Sequence, residues 1–327
     1  MPISELDSVD RRIFSVLQRD FPLVPEPYRE ISNGLSISDV EVMDRIRRLR
    51  ECGLVRQISP VIDARRLGYQ STLVASEVPE ASIGQAEAVL KSNDGISHAY
   101  VRNHEFNIWF TLSLKPDLDA NAEVERLGNE MRASSIFSLP VIRLFKIGAF
   151  FGAEGDGDSP SNGQQKTLSS MAELSEADKK IINVFQQDLP LARSPFDRMS
   201  SEAGMTTDLF LARCRSLKDR GVMRRYGASV NHRTAGFEGN GMACWNVPSQ
   251  MVESVGRRLS ALESVSHCYE RRTNELWQYN VFAMFHGATA GACKVEVDGA
   301  SRDMGLDDYA VLFSTREIKK MRIEYRA

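Results

Sequence analysis

One sequence pattern occurs twice in this chain of 327 residues, and this internal repeat limits the fold more than any other feature. The segment 6–13 has the form Leu-x-x-x-Asp-Arg-Arg-Ile, and 174–181 has the form Leu-x-x-x-Asp-Lys-Lys-Ile. Gly53 likewise recurs as Gly221, at the same offset of 168 residues. Solenoid repeats are much shorter, at about 20–50 residues. The sequence therefore predicts a duplicated pair of domains that forms an internal dimer with pseudo-two-fold symmetry.

The two halves are joined by 151–170, which has the sequence FGAEGDGDSPSNGQQKTLSS. This stretch is rich in Gly, Ser, Asp and Gln and contains few large apolar residues, which is typical of a flexible tether. We predict helix-turn-helix domains at 1–66 and 173–234, sheet domains at 67–150 and 235–327, and a linker at 151–172.

The first part of each half predicts a winged helix-turn-helix domain. Apolar residues recur at helical spacing over 6–19 and over 37–51, and Gly53 ends the second of these helices. A short helix is expected between them. The segments 53–58 and 221–226 are predicted to be the wing strands.

The rest of each half alternates strands and helices in the order βαββαβ. This order predicts a ferredoxin-like domain, with an antiparallel sheet covered by helices on one face. The fold class is therefore α+β, a tandem repeat of a winged helix-turn-helix and a ferredoxin-like domain. In the first half the predicted strands are 71–79, 96–102, 105–114 and 139–147, and the predicted helices are 83–92 and 119–132. The second-half strands are 240–248, 264–271, 278–286 and 309–316.

Composition excludes several classes of protein. No run approaches the roughly 20 apolar residues of a membrane helix, and the chain does not start with a basic region followed by an apolar one. We therefore expect a cytoplasmic protein without membrane contact. The five cysteines are scattered and include no CxxC pair, so neither a disulfide framework nor a zinc site is indicated.

The domain layout is that of the Lrp/AsnC regulators, and 37–55 together with 67–69 resembles their DNA-binding segment. Taken alone, this resemblance predicts a transcription factor. The cationic side chains of the third helix in each half are either a recognition surface or an ordinary solvated face; they are Arg45, Arg47, Arg48, Arg50, Arg213, Arg215 and Lys218.

Three features argue against functional DNA binding. The net charge is −3, whereas nucleic-acid-binding domains are usually basic. The segment from Gly34 to Gly53 is two residues longer than that from Gly204 to Gly221, so the two helices that would read DNA differ. A fused pair of unequal halves also suits an asymmetric site better than a palindrome.

The chemically distinctive residues lie in the central strands of the two sheets. Four of the five histidines fall there, at His98, His104, His267 and His286. Because strand side chains alternate between faces, one face of each sheet carries a row of His, Tyr and Arg. These rows are His98, Tyr100 and Arg102 in the first half and His267, Tyr269 and Arg271 in the second.

Both windows resemble the siroheme decarboxylases, which are Lrp/AsnC-like enzymes made of two related subunits. Residues 98–111 resemble that family's H-N-Y-x-R-x-H-x-x-N-x-W-F-T strand pair, and 268–287 resembles its C-Y-x-R … W-x-Y-N-x-x-x-M-x-H-G pair. The resemblance covers essentially the whole chain, with both subunits fused through the linker. Ala99 departs from the family's frequent Asn, and 273–276 replaces a loop that often contains Pro.

The resemblance implies removal of two acetate carboxyl groups from siroheme, which gives didecarboxysiroheme for the synthesis of heme d1 or for an alternative route to heme. Loss of carbon dioxide leaves an electron pair that the macrocycle can delocalise, so no cofactor is expected beyond the iron of the substrate. A proton must then reach the carbon, and His or Tyr can deliver it. The candidates are, first, His104 and His267, followed by Tyr100, Tyr269 and His286.

The remaining carboxylates of such a substrate need Arg side chains, which bind them bidentately. The expected clamps are Arg102, Arg271 and Arg272 on the strands and Arg56, Arg224 and Arg225 on the wings. Other expected substrate contacts are His98, Asn107, Trp109, Trp277, Tyr279 and Asn280. One of the histidines could instead be an axial ligand of the substrate iron, and the sequence predicts no metal site made by the protein alone.

Two other functions remain open at this stage, a DNA-binding regulator and a heme-binding protein without turnover. The sequence leaves open whether one half or both hold a working site. It also leaves open whether the internal pair associates further, as a homodimer or with a second related subunit.

Overall fold

A computed structural model describes residues 5–147, 171–230 and 239–326. The predicted linker falls outside these residues except for 171–172, where the amide of Ala172 donates to the carbonyl of Arg66 at 2.9 Å. Among the described residues, no helix is both long enough and apolar enough to cross a membrane.

Each half begins with three helices, as predicted. In most of them the N-terminus is capped by a Ser, Thr or Asp side chain that accepts from a backbone N–H of the first turn, as Ser38 does from Glu41 and Ser175 from Asp178. The helices of the first half are α1 (Ser8–Arg19), α2 (Pro27–Asn33) and α3 (Asp39–Glu51), and those of the second are α6 (Glu176–Phe185), α7 (Phe196–Glu202) and α8 (Thr207–Asp219).

The two helix-turn-helix domains share one apolar core. The ring of Tyr226 stacks on Phe185 of its own half, with centroids 4.5 Å apart, and lies 5.9 Å from Phe21 of the other half. The strands that were predicted to be wings also join the halves. β1 (Val55–Ile62) pairs antiparallel with β6 (Met223–Val230), so each supplies a partner for a strand that would otherwise present an unpaired edge.

The βαββαβ order is present in both halves. The first contains β2 (Gln70–Glu77), α4 (Ile83–Ser92), β3 (Ile96–Arg102), β4 (Ile108–Leu114), α5 (Ala120–Met131) and β5 (Ser135–Ile147). The second contains β7 (Gly239–Trp245), α9 (Val252–Ala261), β8 (Val265–Arg271), β9 (Val281–Gly287), α10 (Ala290–Met304) and β10 (Tyr309–Lys320). Short 3-10 helices lie at Ala64–Leu67 and Glu80–Ser82.

The two sheets do not stay separate, as the strand order alone suggests, but close into one eight-stranded barrel in the order β10-β3-β4-β2-β5-β8-β9-β7. The long last strand of each half makes this closure. β5 pairs first with β2 of its own half and then with β8 of the other. β10 does the same with β7 and β3. Closure leaves no free edge in the barrel.

Helices α4, α5, α9 and α10 pack outside the barrel, and a separate apolar cluster fills its interior. We call the end of the barrel beside the helix-turn-helix domains the proximal end. There Arg56 of β1 donates to the carbonyl of Lys320 at 3.4 Å. We call the opposite end, formed by the loops 103–107 and 272–280, the distal end.

Candidate active site

The two His-Tyr-Arg rows face each other across the barrel interior. They lie on β3 and β8, which are diametrically opposite in the strand order. On the alternate positions, Ala99 and Cys268 pack against the outer helices. The period-two prediction for each row is therefore consistent with the structure, and each row runs from the proximal end toward the distal end.

Three histidines converge at the proximal end: His98, His267 and His286. Burial lowers the pKa of each to about 4, and the positive charge of Lys320 acts in the same direction on all three. The charge of His267 also lowers the pKa of the other two. At neutral pH these imidazoles are uncharged in the free protein, and either ring nitrogen can hold the single hydrogen.

Serine hydroxyls orient the three imidazoles. Ser97 Oγ lies 2.9 Å from Nδ1 of His98. Ser266 Oγ lies 2.8 Å from Nδ1 of His267 and 2.6 Å from Nε2 of His286. The sequence analysis missed both serines, although the dipeptide Ser-His occurs at the corresponding strand position of each half and could have drawn attention to them.

Two guanidinium groups lie in the barrel interior without an acidic partner among the described residues. Arg102 Nη1 donates to the carbonyl of Leu312, and Arg271 Nη1 to that of Leu139, each at 2.8 Å. Each guanidinium lies over the Tyr ring of its own row, at 5.5 Å for Tyr100 and 4.8 Å for Tyr269.

Arg102 and Arg271 stay positively charged inside the barrel. Burial lowers the pKa of Arg102 and of Arg271 to about 10, so both remain protonated at neutral pH. The Nε atom of each is buried and has no hydrogen-bond partner in the described part of the chain. Buried charge without a counter-ion is costly, and an anionic ligand inside the barrel would offset that cost.

The aromatic side chains pack toward the distal end. Trp109 and Trp277 are buried with ring centroids 5.0 Å apart, and Trp109 Nε1 donates to the carbonyl of Phe106 at 2.6 Å. His104 belongs to this group, since its ring lies 5.4 Å from that of Trp277. The structure therefore does not bring His104 together with His267. Along β3 alone, His98 and Arg102 are separated by roughly 13 Å of strand.

Other predicted site residues have structural partners. Asn107 pairs through its amide with the N–H and carbonyl of Val78 at 3.0 and 2.8 Å. Asn280 does the same with Val247, at 2.8 Å for both contacts. Tyr279 contacts the Trp277 ring, and burial together with the neighbouring Asp308 carboxylate raises the pKa of the tyrosine.

The wing arginines divide between two surroundings. Arg56 and Arg224 lie at the proximal end, where Arg56 lowers the pKa of His98 and Arg224 forms a 3.1 Å salt bridge with Asp63. Arg225 instead donates to the carbonyl of Gln18 on α1, away from the barrel. Arg272 is exposed at the distal end. Arg225 and Arg272 therefore lie apart from the two rows, and their part in binding a ligand stays a prediction.

The two halves differ in the loop that follows the His-Tyr-Arg strand and in one histidine. Arg102 and Arg271 are 169 residues apart, but Asn107 and Asn280, which make the same contacts, are 173 apart. The β8–β9 loop is thus four residues longer than the β3–β4 loop, and it carries Trp277.

Strand register identifies the position in the first half that corresponds to His286. Leu112 pairs with Ile96 in the first half, and Phe285 pairs with Val265 at the equivalent place in the second. The next residue along each strand is Ser113 in the first half and His286 in the second, so Ser113 is the counterpart of His286. The third histidine belongs to one half only.

Two surface cavities are lined by residues other than the three histidines. A cavity of about 380 Å³ lies beside Tyr69 and Met171, and one of about 530 Å³ lies beside Phe137 and Leu276. Within the described ranges, no group of three or more His, Cys, Asp or Glu side chains is arranged to hold a metal ion.

The lowered pKa values of the three histidines predict a specific acid sensitivity. Each has an ordinary pKa of 6.5 in the unfolded chain and a pKa of about 4 when folded. Between these values the unfolded chain binds more protons, so the free energy of unfolding rises with pH and falls on acidification. A His286→Gln variant is expected to lose less stability than the wild type between pH 7 and pH 5, measured by denaturant unfolding. An unchanged pH dependence would show that His286 is not buried in its neutral form.

Comparison with known proteins supports this structural picture. A family model described as the siroheme decarboxylase NirDL-like HTH domain matches residues 10–56 and 178–224, and one for the AsnC-like ligand binding domain matches 66–146 and 234–319. The siroheme decarboxylase of Hydrogenobacter thermophilus is 38% identical over 315 residues, covering 96% of this chain and 94% of that protein. The siroheme decarboxylase beta subunit of Methanosarcina barkeri is 36% identical over 45% of this chain and 97% of its own length.

Solved structures give the same result. The crystal structure of the siroheme decarboxylase NirDL has a TM-score of 0.76 and 34% identity, and the match covers 98% of this chain and 95% of that one. A structure of NirDL in co-complex with an iron-uroporphyrin III analogue matches over the same shares, with a TM-score of 0.75. Sequence and fold agree over nearly the full length, and this chain belongs to the siroheme decarboxylase family, with two related units in one polypeptide.

Proposed function

We propose that this protein is a carboxy-lyase that removes acetate carboxyl groups from siroheme to give didecarboxysiroheme, for heme d1 synthesis or an alternative route to heme. The observation that carries the proposal is the pair of opposed His-Tyr-Arg rows inside a closed barrel. Family membership favours the same substrate, because the full-length relatives are named siroheme decarboxylases.

The charge distribution suits a ligand with several carboxylates. Arg102 and Arg271 supply two interior guanidinium groups that have no acid partner among the described residues. At the proximal end, Lys320 and Arg56 add positive charge near the histidines. Rigid strands hold the interior arginines, so carboxylates bound there would fix the orientation of the ring.

The histidines supply the acid–base chemistry. When the carbon–carbon bond to a carboxylate breaks, carbon dioxide leaves and the electron pair stays on the methylene carbon. A proton from an imidazole then forms the new C–H bond, and the imidazole regains a proton from solvent. We assign this donation to His267. Ser266 links its ring to that of His286, and its ring lies 6.2 Å from Tyr269, the tyrosine over which the Arg271 guanidinium lies.

An anaerobic incubation with siroheme, followed by mass spectrometry of the extracted tetrapyrrole, tests the proposal. Loss of carbon dioxide once or twice per ring supports it, and two losses mean that one chain completes both steps without a second subunit. Siroheme that binds and returns intact would favour a carrier. Absence of binding would remove siroheme as the substrate.

The Arg and Lys side chains of α3 and α8 have acidic or carbonyl partners within the chain, which argues against a DNA-binding regulator. Arg45 forms salt bridges with Asp7 and Asp10 at 2.7 and 2.8 Å, and Lys218 of the second half forms one with Asp20 of the first at 2.7 Å. The other cations of α3 and α8 with acidic or carbonyl partners are Arg47, Arg48, Arg50, Arg213 and Arg215.

We therefore expect no specific retention of promoter DNA in gel-shift assays at physiological salt. Weak binding that disappears as salt rises is compatible with this expectation, because phosphate contacts alone are strongly salt-dependent. Sequence-specific retention that resists salt would contradict it and would revive the regulator function.

A further inference from the structure

We propose that Ser266 is a positioning residue that couples His267 to His286 and determines which ring nitrogen of His267 carries the hydrogen; this inference rests on the proposed decarboxylation. Ser266 is 1% exposed. Its Oγ lies 2.8 Å from His267 Nδ1 and 2.6 Å from His286 Nε2, so one hydroxyl bridges two imidazoles. A weaker contact, of 3.5 Å, joins it to the carbonyl of Met284.

The number of available hydrogens limits how the Ser266 hydroxyl can bond to His267 and His286. A hydroxyl has one hydrogen, and a neutral imidazole has one N–H. Ser266 can therefore donate to only one of the two ring nitrogens, and the other nitrogen must donate to Oγ if both contacts are hydrogen bonds. When His286 Nε2 donates to Oγ and Oγ donates to His267 Nδ1, the hydrogen of His267 lies on Nε2. The tautomer of His286 therefore determines the tautomer of His267 when both contacts are hydrogen bonds of this kind.

This arrangement also balances the proton transfer. His267 breaks its Nε2–H bond and gives that proton to the methylene carbon that has lost carbon dioxide. The Ser266 hydrogen moves to His267 Nδ1, and the His286 hydrogen moves to Oγ. A proton from water adds to Nδ1 of His286 and makes that ring neutral again. The starting tautomers return before the next turnover when the chain runs in reverse: water protonates His267 Nε2, and His286 Nδ1 releases a proton. His267 therefore stays neutral throughout, and the one proton consumed for each carboxyl group lost comes from solvent.

The first half provides a matched control. Ser97 Oγ lies 2.9 Å from His98 Nδ1, as Ser266 does from its own neighbouring histidine. The counterpart of His286 there is Ser113, so Ser97 has no second imidazole to bridge. The bridge exists in the second half alone among the described residues, and the two serines should differ in function although they occupy equivalent strand positions.

Ser266→Ala and Ser97→Ala should be compared in single-turnover decarboxylation and in absorbance titrations with siroheme. We expect Ser266→Ala to slow the step at saturating siroheme roughly 10- to 100-fold, by analogy with the loss of a residue that orients a metal-bound histidine. Its affinity should stay near the wild-type value. Ser97→Ala removes a contact to one histidine only, so it should slow the step clearly less than Ser266→Ala does. Ser266→Thr keeps the hydroxyl and should recover part of the rate.

Two further readouts separate positioning from a merely structural role. Rates in mixtures of light and heavy water should show several protons in flight for the wild type and one for Ser266→Ala. A Ser266→Ala/His286→Ala double variant should be no slower than the slower single variant, because both remove the same coupling. Additive losses, equal slowing by Ser97→Ala, or an unchanged isotope response would overturn the inference. If the wild type itself releases no carbon dioxide, the proposed function fails, and this inference falls with it.

Discussion

A His267→Ala variant is expected to bind siroheme within about threefold of the wild type and to decarboxylate it roughly 100- to 10,000-fold more slowly, the range for loss of a general acid. The carboxylate contacts assigned to Arg102 and Arg271 remain in this variant, so binding should survive. Single-turnover rates and absorbance titrations on the same preparation separate the two effects.

His104→Ala is the informative comparison for this result. His104 lies at the distal end, where Phe106 donates its N–H to Nδ1 at 3.1 Å and the ring contacts Trp277. Its removal should alter packing around Trp277 and affect binding more than the chemical step. If His104→Ala slows the chemical step more than His267→Ala does, the reacting carboxyl lies at the distal end and the assignment to the proximal histidines is wrong.

Arg271→Met is expected to weaken siroheme binding by about 1.5–3 kcal/mol, the value of a hydrogen bond to a charged group, which is ~10- to 150-fold in Kd. The same variant should leave the thermal stability of the free protein unchanged or higher. Removing a buried charge that lacks a counter-ion relieves a desolvation cost, and Met covers similar apolar surface. Binding is measured by titration and stability by thermal unfolding.

Arg102→Met should behave in the same way, because Arg102 makes the equivalent carbonyl and Tyr contacts on the opposite wall. Arg272→Met is the matched control, since Arg272 follows Arg271 directly but is exposed. Clear destabilisation with unchanged affinity would mean that Arg271 only holds the Leu139 carbonyl. Weaker binding in Arg272→Met would place the ligand outside the barrel.

Local patterns predicted the elements well because each depends on a few neighbouring residues. The helix predicted at 83–92 and the strand predicted at 96–102 have those bounds in the structure. The strand predicted at 139–147 begins earlier, at Ser135, because its first residues pair with β2. Closure of the barrel and the pairing of β1 with β6 depend on contacts between the halves, which no local pattern specifies.

The same distinction applies to the site. Alternation along a strand was enough to place His98, Tyr100 and Arg102 on one face. Which rows meet, and at which end, depends on the barrel, so the sequence could not separate His104 from His267. Ser266 and Lys320 became apparent only from their contacts with the histidines. Arg225 shares its sequence context with Arg224, but it points to α1 because neighbouring strand residues face opposite sides.

A single-turnover incubation with siroheme in deuterated buffer tests the central proposal most directly, because it follows both the lost carboxyl and the proton that replaces it. For the wild type we predict that each carbon dioxide lost is matched by one deuterium in a new methyl group, detected by mass spectrometry of the extracted tetrapyrrole. His267→Ala should bind the substrate and return it almost unchanged over the same interval. Intact siroheme from the wild type, or full conversion by His267→Ala at the wild-type rate, would contradict the proposal.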